Sequence, residues 1–98
     1  MRITKKYIIK WLNDKFKELG EPLVATEVTI YTGLSQSAIE SGCCRLAVHI
    51  SVPNGVCYIY CRYSMGDLQR YVDMGYKLIW RLGEFGIINN SEIDLVKA

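Results

Sequence analysis

Motifs for chemistry are what this sequence has least of. Its 98 residues include one histidine, His49, and the ten acidic residues fall in no DxD, HExxH or ExxH spacing. Metal-assisted or paired-carboxylate hydrolysis therefore has no motif to rest on. The glycines form neither GxGxxG nor a GK[ST] loop, which removes the common phosphate cradles. A catalytic base needs a nucleophile or acid held beside it, and the sequence fixes no carboxylate next to His49. The expectation is a protein that is not an enzyme and holds no cofactor or metal.

No stretch approaches the ~18 uninterrupted apolar residues of a membrane span. The basic start MRITKK runs into an amphipathic pattern with no small-residue cleavage site, so it reads as a helix rather than a signal peptide. A cytoplasmic location without membrane attachment is expected. Net charge is only +2, too little to demand a polyanionic partner, although charge can cluster locally. Half the residues are apolar and 22% are charged, a globular balance. With no repeat, low-complexity tract or long linker, residues 1–98 read as one α+β domain.

CxxC pairs are absent as well. Cys57 and Cys61 point the same way along one predicted strand but lie about 13 Å apart at roughly 3.3 Å per residue. That exceeds the ~7 Å Cα limit of a disulfide and the reach of a shared zinc. Cys44 is equally far from Cys61, and the adjacent Cys43 and Cys44 would face opposite ways on a strand. Free thiols are expected.

What the sequence does contain is periodicity. Ile8, Ile9, Trp11, Leu12, Phe16 and Leu19 form one stripe at helical spacing. They predict a helix from about Thr4 to Leu19, stopped by Gly20 and Pro22. From Leu23 to Thr32 the pattern alternates, with Val24, Thr26, Val28 and Ile30 inward and Ala25, Glu27, Thr29 and Tyr31 outward. The polar stretch Gly33–Gly42 reads as a loop with one helical turn between Ser35 and Ser41. Arg45–Val52 and Val56–Tyr63 flank Asn54-Gly55, the preferred centre of a tight hairpin turn. That turn sets Val52 against Cys57, Ile50 against Ile59, Val48 against Cys61 and Leu46 against Tyr63, all on the core face. His49 then opposes Tyr60 on the other face.

A second helix is predicted from Ser64 to near Gly83 or Gly86, capped by Ser64 and Asp67 and carrying Met65, Leu68, Val72, Gly75, Ile79 and Leu82 on its stripe. Gly75 in mid-helix would cost roughly 1 kcal/mol against alanine while allowing close packing. Ser91 caps a short C-terminal helical turn, Glu92–Val96, with Asp94 three positions on. The predicted fold is an α+β two-layer sandwich in α-β-β-β-α order: a three-stranded antiparallel sheet with two helices on one face.

The other face stays uncovered in that arrangement. It should present Glu27, Thr29 and Tyr31, then Arg45, Ala47, His49 and Ser51, then Tyr58, Tyr60 and Arg62. Tyrosine and arginine are enriched at interaction hot spots, and aromatic faces also stack nucleobases. Tyr31, Arg45, His49, Tyr58, Tyr60 and Arg62 are therefore the candidate macromolecule-binding residues. Lys6, Lys10 and Lys17 share the outer side of the first helix with Asn13 and are candidate phosphate contacts. Asp14 and Glu18 dilute the charge of that side.

The α-β-β-β-α order over about residues 4–82 resembles the double-stranded-RNA-binding domain, whose first helix also touches RNA. That family opens its second helix with a lysine-rich KKxAK segment. Here the stretch is Ser64-Met65-Gly66-Asp67-Leu68-Gln69-Arg70, in which Arg70 alone is basic. The family's glycine-proline-histidine loop has no counterpart in Thr32–Gly42. The resemblance is one of topology, and no RNA-binding residue is carried over from it. The leading expectation is a non-enzymatic accessory or inhibitor-type protein that docks on another protein through its open sheet face. Nucleic acid, met by the lysines, is the alternative partner, and a second copy of the chain covering the sheet is the third.

Overall fold

In a computed structural model, which describes residues 1–83 and 91–98, the chain begins with helix α1, Lys5–Glu18. Thr4 caps it by accepting the Tyr7 N–H at 3.0 Å. Ile8, Leu12 and Phe16, spaced at one helical turn, are its buried residues, while Leu19 just beyond the end is exposed. Gly20 supplies the positive φ of 69° that lets the chain leave the helix.

The strands follow as β1 (Val24–Ile30), β2 (Leu46–Val52) and β3 (Gly55–Cys61), with a short helix α2 (Gln36–Glu40) between β1 and β2. The helical turn expected between Ser35 and Ser41 forms, and Ser35 caps it by accepting the Ala38 N–H. β1, β2 and β3 form an antiparallel meander with Leu46, Val48, Ile50, Ile59 and Cys61 fully buried.

Two details of this meander differ from the sequence reading. The hairpin register is Val52↔Gly55, Ile50↔Cys57, Val48↔Ile59 and Leu46↔Cys61, two residues away from the Asn-Gly turn register. Pro53 is the reason. Pairing it with Val56 would need an N–H that proline lacks, so Pro53 moves into the turn itself and Gly55 takes the positive φ, 145°. A slip of two preserves which face each residue occupies, but His49 now opposes Tyr58 rather than Tyr60. In β1, a bulge between Ala25 and Glu27 breaks the alternation. Ala25 and Val28 are the buried pair, and Val24 is turned outward.

The larger correction lies after β3. The predicted long helix stops as α3, Met65–Asp73, and the chain returns as β4, Tyr76–Arg81. Ser64 does cap α3, accepting the Asp67 N–H at 3.1 Å. Gly75 is not a packing gap in mid-helix. Its φ of 96° makes it the residue that ends α3 and turns the chain into β4. The expected C-terminal helical turn is instead β5, Glu92–Lys97, which pairs antiparallel with β4. Ile93 and Leu95 alternate with Glu92 and Asp94 in a strand pattern that six residues between turns barely announce.

The sheet therefore has five strands in the order β1-β2-β3-β5-β4, mixed because β5 runs parallel to β3. The fold class remains α+β. A three-stranded, wholly antiparallel sheet is not what forms, and the likeness in order to the double-stranded-RNA-binding domain, already interrupted by α2, ends at α3, after which β4 and β5 follow. Helices α1 and α3 both contribute to one core, where Ile8, Leu12, Phe16 and Leu68 meet the inward strand residues and Ile93. Burying each such side chain contributes about 1.5–3 kcal/mol relative to leaving it in water. Among the described residues, no helix is long and apolar enough to cross a membrane.

Candidate docking face

With α1 and α3 on one side of the sheet, the opposite side carries Tyr58 and Tyr60 of β3, His49 of β2, and Thr29 and Tyr31 from β1 and its end. The three tyrosines are 41%, 41% and 42% exposed for Tyr31, Tyr58 and Tyr60. Tyr58 and Tyr60, two residues apart on one strand, lie nearly parallel with ring centroids 6.2 Å apart. His49, directly across from Tyr58, meets it edge to face at 4.9 Å. Its Nε2 is fixed by the Thr29 hydroxyl at 2.7 Å. Burial pushes the Tyr31 phenol above its ordinary value, with Cys44, Tyr60 and Tyr58 close enough to add to the effect. Beneath these rings Ala47 is fully buried, although it belongs to the outward-facing side of β2. His49, Tyr58 and Tyr60 form one contiguous aromatic layer over β2 and β3.

The bulge in β1 extends that layer. Val24 pairs with Ser51, and Ser51 pairs with Val56, so the two valines flank a serine at the hairpin end of the same face. Both are more than half exposed. Strict alternation assigns Val24 to the core, whereas Val56, at the start of the predicted run Val56–Tyr63, shares the side of Tyr58 and Tyr60. The bulge, which has no sequence signature here, is what joins Val24 to the tyrosine face.

The arginines behave differently from the expectation. Arg45 does not stand free among the tyrosines: its guanidinium donates to Asp67 at the start of α3 at 3.0 Å. It lines a small hollow with Ile30, Tyr31, Leu34 and Ile39 at the end of the sheet. Arg62 is on the open face but lies 3.6 Å from Glu92. Arg81, further across, is bound to Asp94 through two nitrogens at 2.9 and 3.0 Å. Each of the three arginines thus has a carboxylate beside it.

On α1 the lysine side is also thinned. Lys10 donates to Asp14 at 2.8 Å, and that hydrogen bond raises the lysine and lowers the carboxyl from their ordinary pKa values. Asn13 is not part of this outer side. Its amide is bound to the backbone of Ala25 on β1. Lys6 and Lys17 remain exposed.

All four cysteines are free. Cys61 is in the core, and burial pushes its thiol up to about 11. No group of three His, Cys, Asp or Glu side chains converges on a point among the described residues.

A second concave feature has no counterpart in the sequence pattern, which predicts helix where β4 forms. A groove of about 520 Å³ runs between α1 and β4. Its walls include Tyr7, Trp11 and Leu19 from the helix side and Tyr76, Leu78 and Trp80 from the strand. Phe16 packs edge to face on Trp80 at 5.2 Å. Among the described residues, the buried Nε1 of Trp80 has no hydrogen-bond partner.

No protein-family model matches the chain, and neither does any curated protein or solved structure at a significant level.

Proposed function

We propose that this chain is a binding protein that docks on another protein through the face of Tyr31, Tyr58 and Tyr60 and performs no chemistry of its own. The observation that carries the reading is the composition of that face. Three half-exposed tyrosines and two exposed valines lie together on a sheet surface whose nearby arginines are matched by carboxylates. Such a surface suits a partner that is mixed apolar and polar, and near neutral, as protein interfaces are. Rigid tyrosines supply large contact area at little entropic cost, so the centre of the interface falls on Tyr58 and Tyr60. A nucleic acid would ask for cations free to neutralise phosphate, and here Arg62, Arg81 and Lys10 already have anionic neighbours.

The test is capture of a partner from nuclease-treated lysate by the wild type and by Tyr58→Ala/Tyr60→Ala. The expected result is a discrete protein held by the wild type, lost by the double variant, with melting temperature unchanged. Retention by the variant removes the reading, and loss of the partner on nuclease treatment transfers it to nucleic acid. A wild-type dimer that the double variant dissociates would make the partner a second copy.

A further inference from the structure

The two edges of the sheet are treated differently. At β1, the bulge disturbs the ladder and Asn13 occupies both backbone groups of Ala25. That is how an edge is closed to further strands. At β4 there is no bulge and no side chain bonded to the outer backbone groups among the described residues: β5 is its strand neighbour on one side, and its other side is the end of the sheet. Ala98 donates to the Gly75 carbonyl, which fixes the phase of the β4–β5 ladder. Lys77, Ile79 and Arg81 therefore bond towards β5, and the N–H and C=O groups of Tyr76, Leu78 and Trp80 point outward at the edge. The groove beneath α1 lies along this same strand.

A strand added here would be asked for a defined pattern. Side chains on its helix side would enter the groove against Tyr7, Trp11 and Leu19 and should be apolar. Side chains on its other side would lie beside Lys77 and Arg81. A second copy pairing antiparallel about Ile79 would set Lys77 beside the Arg81 of the other copy, which Asp94 already holds, so the pairing offers Lys77 no anionic partner of its own. An acidic segment would supply one to Lys77, which makes no ion pair among the described residues.

The geometry points to strand addition at this edge: an extended segment of a partner protein, alternating apolar and acidic residues, pairs with β4 and lays its apolar side chains in the groove under α1. Backbone hydrogen bonds supply the affinity and the groove the selection. This surface is separate from the tyrosine face and does not depend on it.

Both tryptophans of the chain, Trp11 and Trp80, line the groove, so intrinsic fluorescence reads it directly. The probe is an eight-residue synthetic peptide alternating glutamate with valine or leucine, titrated into the whole chain. Saturable change in tryptophan emission is expected. Methylating the peptide's alternate backbone nitrogens, in the phase that faces β4, should weaken binding at least tenfold, as should lysine in place of glutamate. Lys77→Glu, at an exposed position, should weaken the acidic peptide at least tenfold and admit the lysine peptide, with its melting curve confirming the fold. No saturable change, or equal binding of the N-methylated peptide, would overturn the assignment. So would light scattering that finds, in place of the 11.2 kDa monomer, a dimer from which the peptide is excluded.

Discussion

Asn13 of α1 brackets Ala25 of β1. It accepts the Ala25 N–H at 2.8 Å and donates to the Ala25 carbonyl at 3.1 Å, as a neighbouring strand would. One helix side chain thus both anchors α1 to the sheet and closes the sheet's first edge. Asn13→Ala leaves two partly buried backbone groups without partners and should cost about 2 kcal/mol. Urea denaturation is the measurement: the midpoint should fall with an unchanged slope. Asn13→Asp should do no better, because a carboxylate cannot donate to the Ala25 carbonyl.

Gly75 and Gly66 make opposite predictions. A Cβ at Gly75 meets nothing within 4 Å, yet its φ of 96° strains any L side chain, so Gly75→Ala should destabilise by about 1–2 kcal/mol. Gly66 sits in the first turn of α3, where a Cβ would meet only the Ser64 hydroxyl at 3.9 Å. Gly66→Ala should be neutral to stabilising by up to about 1 kcal/mol. Were α3 to run on through residue 75, both substitutions would stabilise, so thermal melts of the two variants check the end of the helix.

The thiols should separate by burial. Cys43 is exposed and should react first with a disulfide-exchange reagent, Cys44 and Cys57 more slowly, and Cys61 only on unfolding. Burial lifts Cys61 from 9.0 to about 11, so the folded state keeps a proton that the unfolded state releases earlier. The associated stability is complete below about pH 9 and drains away as pH rises towards 11, by about 2–3 kcal/mol. The difference in stability between wild type and Cys61→Ala should shrink over that window, which urea melts at several alkaline pH values would reveal.

The lysines of α1 should be dispensable for partner binding. With Lys10 held by Asp14, replacing Lys6, Lys10 and Lys17 by glutamine is expected to leave capture of the partner unchanged. Its salt dependence should likewise fall well short of the slope of roughly −0.7 to −0.9 per neutralised phosphate seen with nucleic acids. A partner lost from the triple variant would reverse this expectation.

The sequence announces some of these elements and conceals others for physical reasons. Local signals worked where they were long or redundant. α1 has a cap, a three-turn apolar stripe and a glycine stop, and the β2–β3 hairpin has two β-rich runs around a turn. The tyrosine face was legible because a slip of two residues in that hairpin leaves Tyr58 and Tyr60 on the same side. β4 was not, since Met65, Leu68, Val72, Ile79 and Leu82 keep an approximate helical period straight through Gly75. The signals that could have found it are the inward set Tyr76, Leu78 and Trp80 at a period of two, and Gly75 read as a stop. Arg45 escaped because its long side chain leaves the strand to meet Asp67, a partner 22 residues away. The bulge at Thr26 is a property of the pairing of two strands, which neither strand's own pattern encodes.

The sheet is joined unevenly. β2 and β3 pair along seven positions, whereas β3 and β5 pair at Tyr60↔Glu92 and Cys61↔Ile93. The β4–β5 ribbon is therefore stitched to the meander by a short seam of two paired positions. A seam so short opens more readily than the seven-position ladder of β2 and β3. The meander with α1 can behave as one cooperative unit and the ribbon as another, so amides of β5 should exchange with solvent well before those of β2.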